Sequence, residues 1–343
     1  MSDPAYYLVG DKTYYSRSGA RYTDDWLFWG PQVLVPYLRV LGPPMDTDLN
    51  DVAFGGFALF PDEKRLLWFG GEDLDCCPFY CRLYLKLMKA VWPEEWRIEW
   101  AGRGLHTLAR AAGRTPPRES LHPAFREHRE LYEKQFRMLG EERWSQLMTM
   151  GAVSIRYLND EIALFPLHDG DVPESYLWVG PDEIVDALGA RFPRKSLEFP
   201  SGQEEPVGTF GGFHLDFQKR VLAHWSHQAN IDAIPREAWP DWTIIDWEER
   251  FEEHVKITNG KLQPVYPPLE DLLTQLERSL VAEEPSDYKV FYQTHEIYDE
   301  NWNVVEEIAF PISLPERKRI WTQALQRTGL AKKPYPGNWW NTA

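Results

Sequence analysis

Three blocks of sequence occur twice in this chain, in the same order, and this repetition limits the possible folds more than any other feature. Leu27-Phe28-Trp29-Gly30-Pro31 matches Leu177-Trp178-Val179-Gly180-Pro181. Phe54-Gly55-Gly56-Phe57-Ala58-Leu59 with Lys64-Arg65-Leu66-Leu67 matches Phe210-Gly211-Gly212-Phe213-His214-Leu215 with Lys219-Arg220-Val221-Leu222. Val91-Trp92-Pro93-Glu94-Glu95-Trp96 and Ile98-Glu99-Trp100 match Ala238-Trp239-Pro240-Asp241-Trp242 and Ile245-Asp246-Trp247. Two copies are too few for a solenoid, which needs at least three units to bury a continuous core. A pair of like modules is expected instead, over residues 1–114 and 152–260, with the repeated motifs beginning near residue 5.

Each copy reads as hairpin, helix, hairpin, helix, strand, helix. Tyr6–Val9 and Thr13–Tyr15 flank Gly10-Asp11, a two-residue turn signal in which glycine supplies the positive φ. The second copy opens with Val153–Leu158, then Asn159-Asp160, then Ile162–Phe165. Gly30-Pro31 and Gly180-Pro181 start helices, because proline at the first helical position forfeits no hydrogen bond; these helices are expected to end at Gly42 and Gly189. The paired glycines then open a second hairpin, turning near Pro61-Asp62 and Phe217-Gln218. Glycine pairs in strands mark close backbone approach or a bulge, and the strand-to-helix context of a phosphate loop is missing. Phe79–Met88 reads as an amphipathic helix in copy one, replaced by the shorter Ala229–Ile234 in copy two. Strands at Trp96–Ala101 and Trp242–Trp247 lead into closing helices at Arg103–Ala112 and Glu248–Thr258.

Pro116-Pro117 breaks the chain, and residues 115–151 are expected to form a connection dominated by a long helix over Pro123–Met148. Residues 261–343 form an extension: a linker at Gln263–Pro268, a helix at Leu269–Val281, strands at Tyr288–Tyr298 and Val304–Phe310 turning at Asn301, and a last helix after Pro315. An irregular tail follows, in which Trp339 and Trp340 either dock on the body or await a partner. The fold class is therefore α+β, two tandem module copies plus a C-terminal helix and strand extension.

Chemistry leaves weaker traces. No Gly-x-Ser-x-Gly, Walker loop, His-Glu-x-x-His or dinucleotide fingerprint occurs. Cys76, Cys77 and Cys81 lack the spacing of a zinc site, and copy two has no counterpart; an odd, clustered set suits a reducing compartment better than a disulfide framework. Glu72, Asp73 and Asp75 could hold a hard cation, although Asp75 is equally a helix cap. His224 and His227 stand three apart, so on a strand they face opposite ways. These two loops define the enzymatic alternative, a metal-dependent hydrolase-like site. A structural or adaptor protein is a third option. No cofactor is expected.

Charge is more telling. The 343 residues carry a formal charge of −16. Residues 1–150 hold 19 basic and 21 acidic side chains, whereas residues 151–343 hold 18 and 32. A phosphate backbone would be repelled, so no nucleic acid is expected as a ligand, and a basic partner would be attracted. Glu248, Glu249, Glu252 and Glu253 are placed on one face of the closing helix, with Asp299 and Glu300 beyond, as the partner-binding candidates. Met1-Ser2-Asp3-Pro4 lacks a signal-peptide pattern and no run of apolar residues is long enough to span a bilayer, so a cytoplasmic location away from membranes is expected.

The pattern Gly-Gly-Phe-x-Leu, Lys-Arg-x-Leu, then Trp-Pro and spaced tryptophans, over residues 54–100 and 210–247, resembles small bacterial proteins that act as antidotes to secreted toxins. The resemblance implies a cytoplasmic immunity protein that binds a basic toxin domain and occludes its active site. It carries no binding residues over; those above come from charge placement.

Overall fold

The computed structural model describes residues 4–17, 19–21, 23–41, 43–45, 49, 53–71, 78–115, 149–168, 176–177, 180–191, 211–226, 234, 236–248, 250–262, 267–281, 294–298, 304–309 and 311–333. The chain is mixed α and β and divides into two compact units. Unit 1 comprises Met1–Arg118 with Pro268–Ala343, and unit 2 comprises Glu119–Pro267.

Unit 1 begins with a hairpin, β1 (Ala5–Val9) and β2 (Lys12–Ser16), closed by Gly10 at φ 59°. Short helix α1 (Thr23–Leu27) and helix α2 (Pro31–Val40) lead to β3 (Gly55–Phe60) and β4 (Arg65–Gly70). Helix α3 (Pro78–Val91), strand β5 (Arg97–Trp100) and helix α4 (Gly104–Ala111) complete the pattern. The strand order is β2-β1-β3-β4-β5, with β1/β3 and β4/β5 parallel and the hairpin pairs antiparallel. Strand alternation sorts the side chains into two cores. Tyr7, Phe57 and Trp68 meet Tyr37 and Tyr84 of the long helices. Tyr6, Leu8, Ala58, Leu67 and Phe69 pack beneath Leu105, Leu108 and Ala109 of α4.

Unit 2 runs β6 (Thr149–Arg156), β7 (Ile162–His168), helix α5 (Pro181–Arg191), β8 (Gly211–Asp216), β9 (Val221–Ser226), β10 (Thr243–Asp246) and helix α6 (Phe251–Ile257). Its sheet order is β7-β6-β8-β9-β10, again with β6/β8 and β9/β10 parallel. Strand for strand, this is the order and pairing sense found in unit 1. The side facing α5 is apolar: Val153, Ile155, Phe213, Leu215 and Leu222 join Leu177, Ile184, Leu188 and Trp239.

The tryptophans of the repeated blocks do equivalent work. Trp92 Nε1 donates to the Leu27 carbonyl at 2.8 Å and Trp239 Nε1 donates to the Leu177 carbonyl at 2.6 Å. Each thereby ties the segment before the last strand to the turn that precedes the Gly-Pro helix start. The double glycines admit close backbone approach: a Cβ on Gly56 would lie 2.1 Å from the Tyr6 carbonyl oxygen, and one on Gly212 would lie 2.4 Å from that of Ala152.

The extension belongs to unit 1. Helix α7 (Leu269–Val281) and helix α8 (Leu314–Arg327) pack on α3 and on each other, while β11 (Thr294–Tyr298) and β12 (Val304–Ala309) pair antiparallel. Arg327 Nη1 donates to the Ala90 carbonyl at 2.7 Å, and Arg317 Nη1 donates to that of Leu280 at 3.1 Å.

Several sequence expectations shift. Helix α5 runs through Gly189 to Arg191, since an exposed mid-helix glycine costs only about 1 kcal/mol. Helix α8 starts at Leu314, ahead of Pro315, because Ser313 caps it and the first turn accepts proline. Residues 149–151, assigned to the connection, are part of β6. The expected helix over 123–148, Gly42 and the tail beyond residue 333 lie outside the described residues. No helix among the described residues is long and apolar enough to cross a membrane.

Candidate functional site

Against so similar a pair of sheets, the informative places are those where unit 2 departs from unit 1. The first is the turn of the opening hairpin. In unit 1, Val9 pairs with Lys12 across two residues; in unit 2, Arg156 pairs with Ile162, so residues 157–161 form the connection. The Asn159-Asp160 reading of a two-residue turn is corrected by this register. The longer turn is internally closed. Tyr157 N–H donates to the Glu161 carbonyl at 2.9 Å, Asp160 N–H donates to the Tyr157 carbonyl at 3.0 Å, and Asp160 itself sits at φ 66°. From the neighbouring hairpin, Gln218 Nε2 donates to the Leu158 carbonyl at 3.3 Å.

This turn and the start of α5 enclose an open groove of about 580 Å³. Its floor is aromatic, with Tyr157 and Phe217 stacked at 6.4 Å and 13°, and Phe217 set edge-on against Trp242 at 5.3 Å. Val185 adds an apolar wall, and Glu161, Asp182 and Asp186 provide three carboxylates. Leu158 stands 77% exposed at the turn. Burial and the nearby Glu161 carboxylate raise the Tyr157 phenol above its usual pKa, so it stays a neutral donor at physiological pH. Among the described residues Arg156 pairs with Asp160 at 2.6 Å, and Arg220 with Asp241 at 3.5 Å. Carboxylates around an aromatic platform suit a guanidinium or ammonium group, which gains both charge pairing and ring-face attraction.

The second departure is buried. Where β1 and β3 set Leu8 opposite Ala58, β6 and β8 set Ser154 opposite His214. Where β3 and β4 set Gly56 opposite Phe69, β8 and β9 set Gly212 opposite Trp225. Seven residues beyond the Ala101 and Trp247 amides that close the last strand of each unit stand Leu108 on α4 and His254 on α6. Ser154, His214 and His254 are each 0% exposed. Ser154 Oγ lies 2.6 Å from His214 Nδ1 and 2.7 Å from His254 Nε2, and Trp225 Nε1 donates to His254 Nδ1 at 3.1 Å.

Because the indole can only donate, His254 Nδ1 accepts and His254 Nε2 carries the hydrogen; the arrangement that also gives the Ser154 hydroxyl an acceptor completes the chain. Trp225 N–H feeds His254 Nδ1, His254 Nε2–H feeds Ser154 Oγ, and Ser154 O–H feeds His214 Nδ1. His214 Nε2 then carries a hydrogen and, buried, has no hydrogen-bond partner among the described residues. Burial holds both rings neutral, lowering His214 to about 4 and His254 to about 3. Below this chain Asp216, 1% exposed, pairs with Arg156 at 3.6 Å and accepts the Lys219 amide at 3.0 Å. Ser154 is thus held by two imidazoles in a solvent-excluded layer, an arrangement that gives rigidity and no access for a substrate.

Of the residues singled out from sequence, Glu248, Glu252, Glu253, His224 and Cys81 are among those described. Glu248 precedes α6 at φ 55°, its amide donating to Asp246 Oδ1 at 2.6 Å, so it does not share a helical face with the others. The reason is the turn closed by Arg250 N–H on the Trp247 carbonyl, which delays helix entry to Phe251. Glu252 and Glu253 do lie on α6, half-buried, and Glu253 is paired with Lys256 at 2.7 Å. Glu249, Asp299, Glu300, Glu72, Asp73, Asp75, His227, Cys76 and Cys77 lie outside the described residues. His224 is 2% exposed and faces Phe213, on the opposite side of the sheet from His214. Cys81 is buried in α3. Among the described residues no group of three or more His, Cys, Asp or Glu side chains is placed to hold a metal ion. Sequence reasoning missed both unit-2 features. The buried one had a trace in the repeat itself, Ala58 against His214 within Gly-Gly-Phe-x-Leu.

No protein-family model, no curated protein and no solved structure matches this chain.

Proposed function

We propose that this protein is a non-enzymatic binding protein that neutralises a basic partner, built from two copies of one module of which the second carries the recognition surface. The observation that carries the reading is the groove at residues 157–161. It exists through a turn extension specific to unit 2, its floor is aromatic, and three carboxylates line it. The half of the chain with the acidic excess is also the half that carries this groove. In the finer form suggested by the sequence resemblance, the protein is a cytoplasmic immunity protein and its partner a toxin domain with a basic cleft, which acidic side chains can enter in place of phosphates. Glu248, Glu252 and Glu253 add negative charge to the same unit.

Native mass spectrometry of the tagged full-length chain, purified gently from its own host at low and at high salt, tests this. A stoichiometric basic protein retained at low salt, released at high salt and lost in Asp182→Lys/Asp186→Lys is the expected result. A monomer carrying a small molecule, or a partner whose retention ignores both salt and the charge reversals, would refute it.

A further inference from the structure

We infer that the Trp225–His254–Ser154–His214 chain makes α6 an acid-released element, so that acidification opens one face of unit 2 while the corresponding face of unit 1 stays closed. This inference is independent of the proposed binding function and stands on the geometry of the hydrogen bonds. With these tautomers the atom left to take a proton on each imidazole is Nδ1, which accepts from the indole on His254 and from the Ser154 hydroxyl on His214. A proton taken from water onto His254 Nδ1 would face the indole N–H across a nitrogen–nitrogen distance of 3.1 Å, and indole has no in-plane lone pair with which to reverse the bond. A proton on His214 Nδ1 would force the Ser154 hydroxyl to turn away and find another acceptor inside a layer that is 0% exposed. The new charges would also stand close together, with ring centroids 6.3 Å apart.

The surroundings offer limited compensation. From β8, Asp216 favours the charged form of His214; Arg156 of β6 and Lys219 of the β8–β9 turn oppose it. His214 likewise opposes the charging of His254. Aromatic rings also stand beside His254, with Trp247 at 5.8 Å and the bonded Trp225 set against Phe251. His224 of β9 lies on the opposite face, and Lys256 of α6 is spent on Glu253. Release of α6 relieves the conflict, because both rings then reach water and titrate near the ordinary 6.5. Unit 1 has Leu8, Ala58, Phe69 and Leu108 in the corresponding places, none of which titrates.

Hydrogen exchange of the full-length chain, corrected for intrinsic rates, tests the inference at pH 7.5 and pH 5. With folded values of about 4 and about 3, each histidine alone raises the population of the released state about 30-fold at pH 5. Protection of 251–257 should therefore fall by at least that factor, with 104–111 unchanged. Ser154→Leu/His214→Ala/Trp225→Phe/His254→Leu, which installs the side chains of unit 1, should abolish the difference. Should that variant not fold, ring nitrogen NMR of the unaltered protein decides: both rings should carry hydrogen on Nε2 and titrate below pH 5. Equal loss of protection in both helices, no loss down to pH 4, or a ring titrating near 6.5 would overturn the inference.

Discussion

Trp239→Phe removes one N–H and one ring from a side chain that is 2% exposed, and its cost can be built up from the structure. The indole donates to the Leu177 carbonyl at 2.6 Å and meets Trp242 edge-on at 5.4 Å. Withdrawing the donor from a buried carbonyl costs about 1–3 kcal/mol. Roughly 40 Å³ of missing ring, at about 24 cal/mol per Å³ of cavity, adds about 1 kcal/mol. The expected loss is therefore about 2–4 kcal/mol. Trp92→Phe is the matched control, with Trp92 also 2% exposed, donating to Leu27 at 2.8 Å and edge-on to Trp96 at 5.1 Å. There the acceptor carbonyl also takes the Gly30 amide at 3.4 Å, so the cost should be smaller, about 1–3 kcal/mol. Urea unfolding followed by circular dichroism measures the totals. Hydrogen exchange assigns them, with protection lost first in α5 for Trp239→Phe and in α2 for Trp92→Phe. A change under about 0.5 kcal/mol in either variant, or protection lost equally in both units, would refute the idea that these tryptophans pin the helix starts.

Gly212→Ala would set a Cβ 2.4 Å from the Ala152 carbonyl oxygen and 2.9 Å from Trp225 Nε1, so it should destabilise by about 1–3 kcal/mol or prevent soluble accumulation, as thermal unfolding would show. Arg156→Met leaves the Asp216 carboxylate, its side chain 2% exposed, with only the exposed Lys219 at 3.8 Å for a cation; a loss of about 1–3 kcal/mol in urea unfolding is expected. Ser313→Ala removes a cap oxygen that accepts the Glu316 amide at the long distance of 3.4 Å, so its cost should stay below about 1 kcal/mol in the same assay. For the histidine pair the released or unfolded rings bind protons below 6.5 while the folded rings resist, so stability is full above that value and falls as pH drops. Between pH 7 and pH 5 the loss should be about 2 kcal/mol per histidine, read from unfolding midpoints and absent when both are replaced by apolar residues.

Much of this architecture was legible without coordinates because it is written locally. Gly10-Asp11 announced a hairpin, Gly30-Pro31 and Gly180-Pro181 announced helix starts, and the double glycines announced strands that approach another backbone. The helix at Leu269–Val281, read as following the proline-rich linker, emerged with the expected bounds. Even the Trp-Pro blocks could be paired by sequence, although their role as tethers to the Leu27 and Leu177 carbonyls needed atoms in place.

What stayed hidden depends on register and on chain segments far apart in sequence. A five-residue connection at 157–161 was indistinguishable from a two-residue turn until Arg156 was seen opposite Ile162. Four glutamates in six positions read as one helical face, but a turn at Trp247–Arg250 put Glu248 outside the helix. Ser154, His214 and His254 lie 60 and 40 residues apart, and neither a two-residue nor a 3.6-residue period links them. Sequence alone indicated most of the described strands and helices, if not all of their bounds, since backbone preference and alternation act within a few residues. Tertiary structure alone decided which side of each strand meets α5 or α6, because a slip of one residue in pairing would exchange the two faces. It was that choice which turned a serine, two histidines and a tryptophan into a single buried chain of hydrogen bonds.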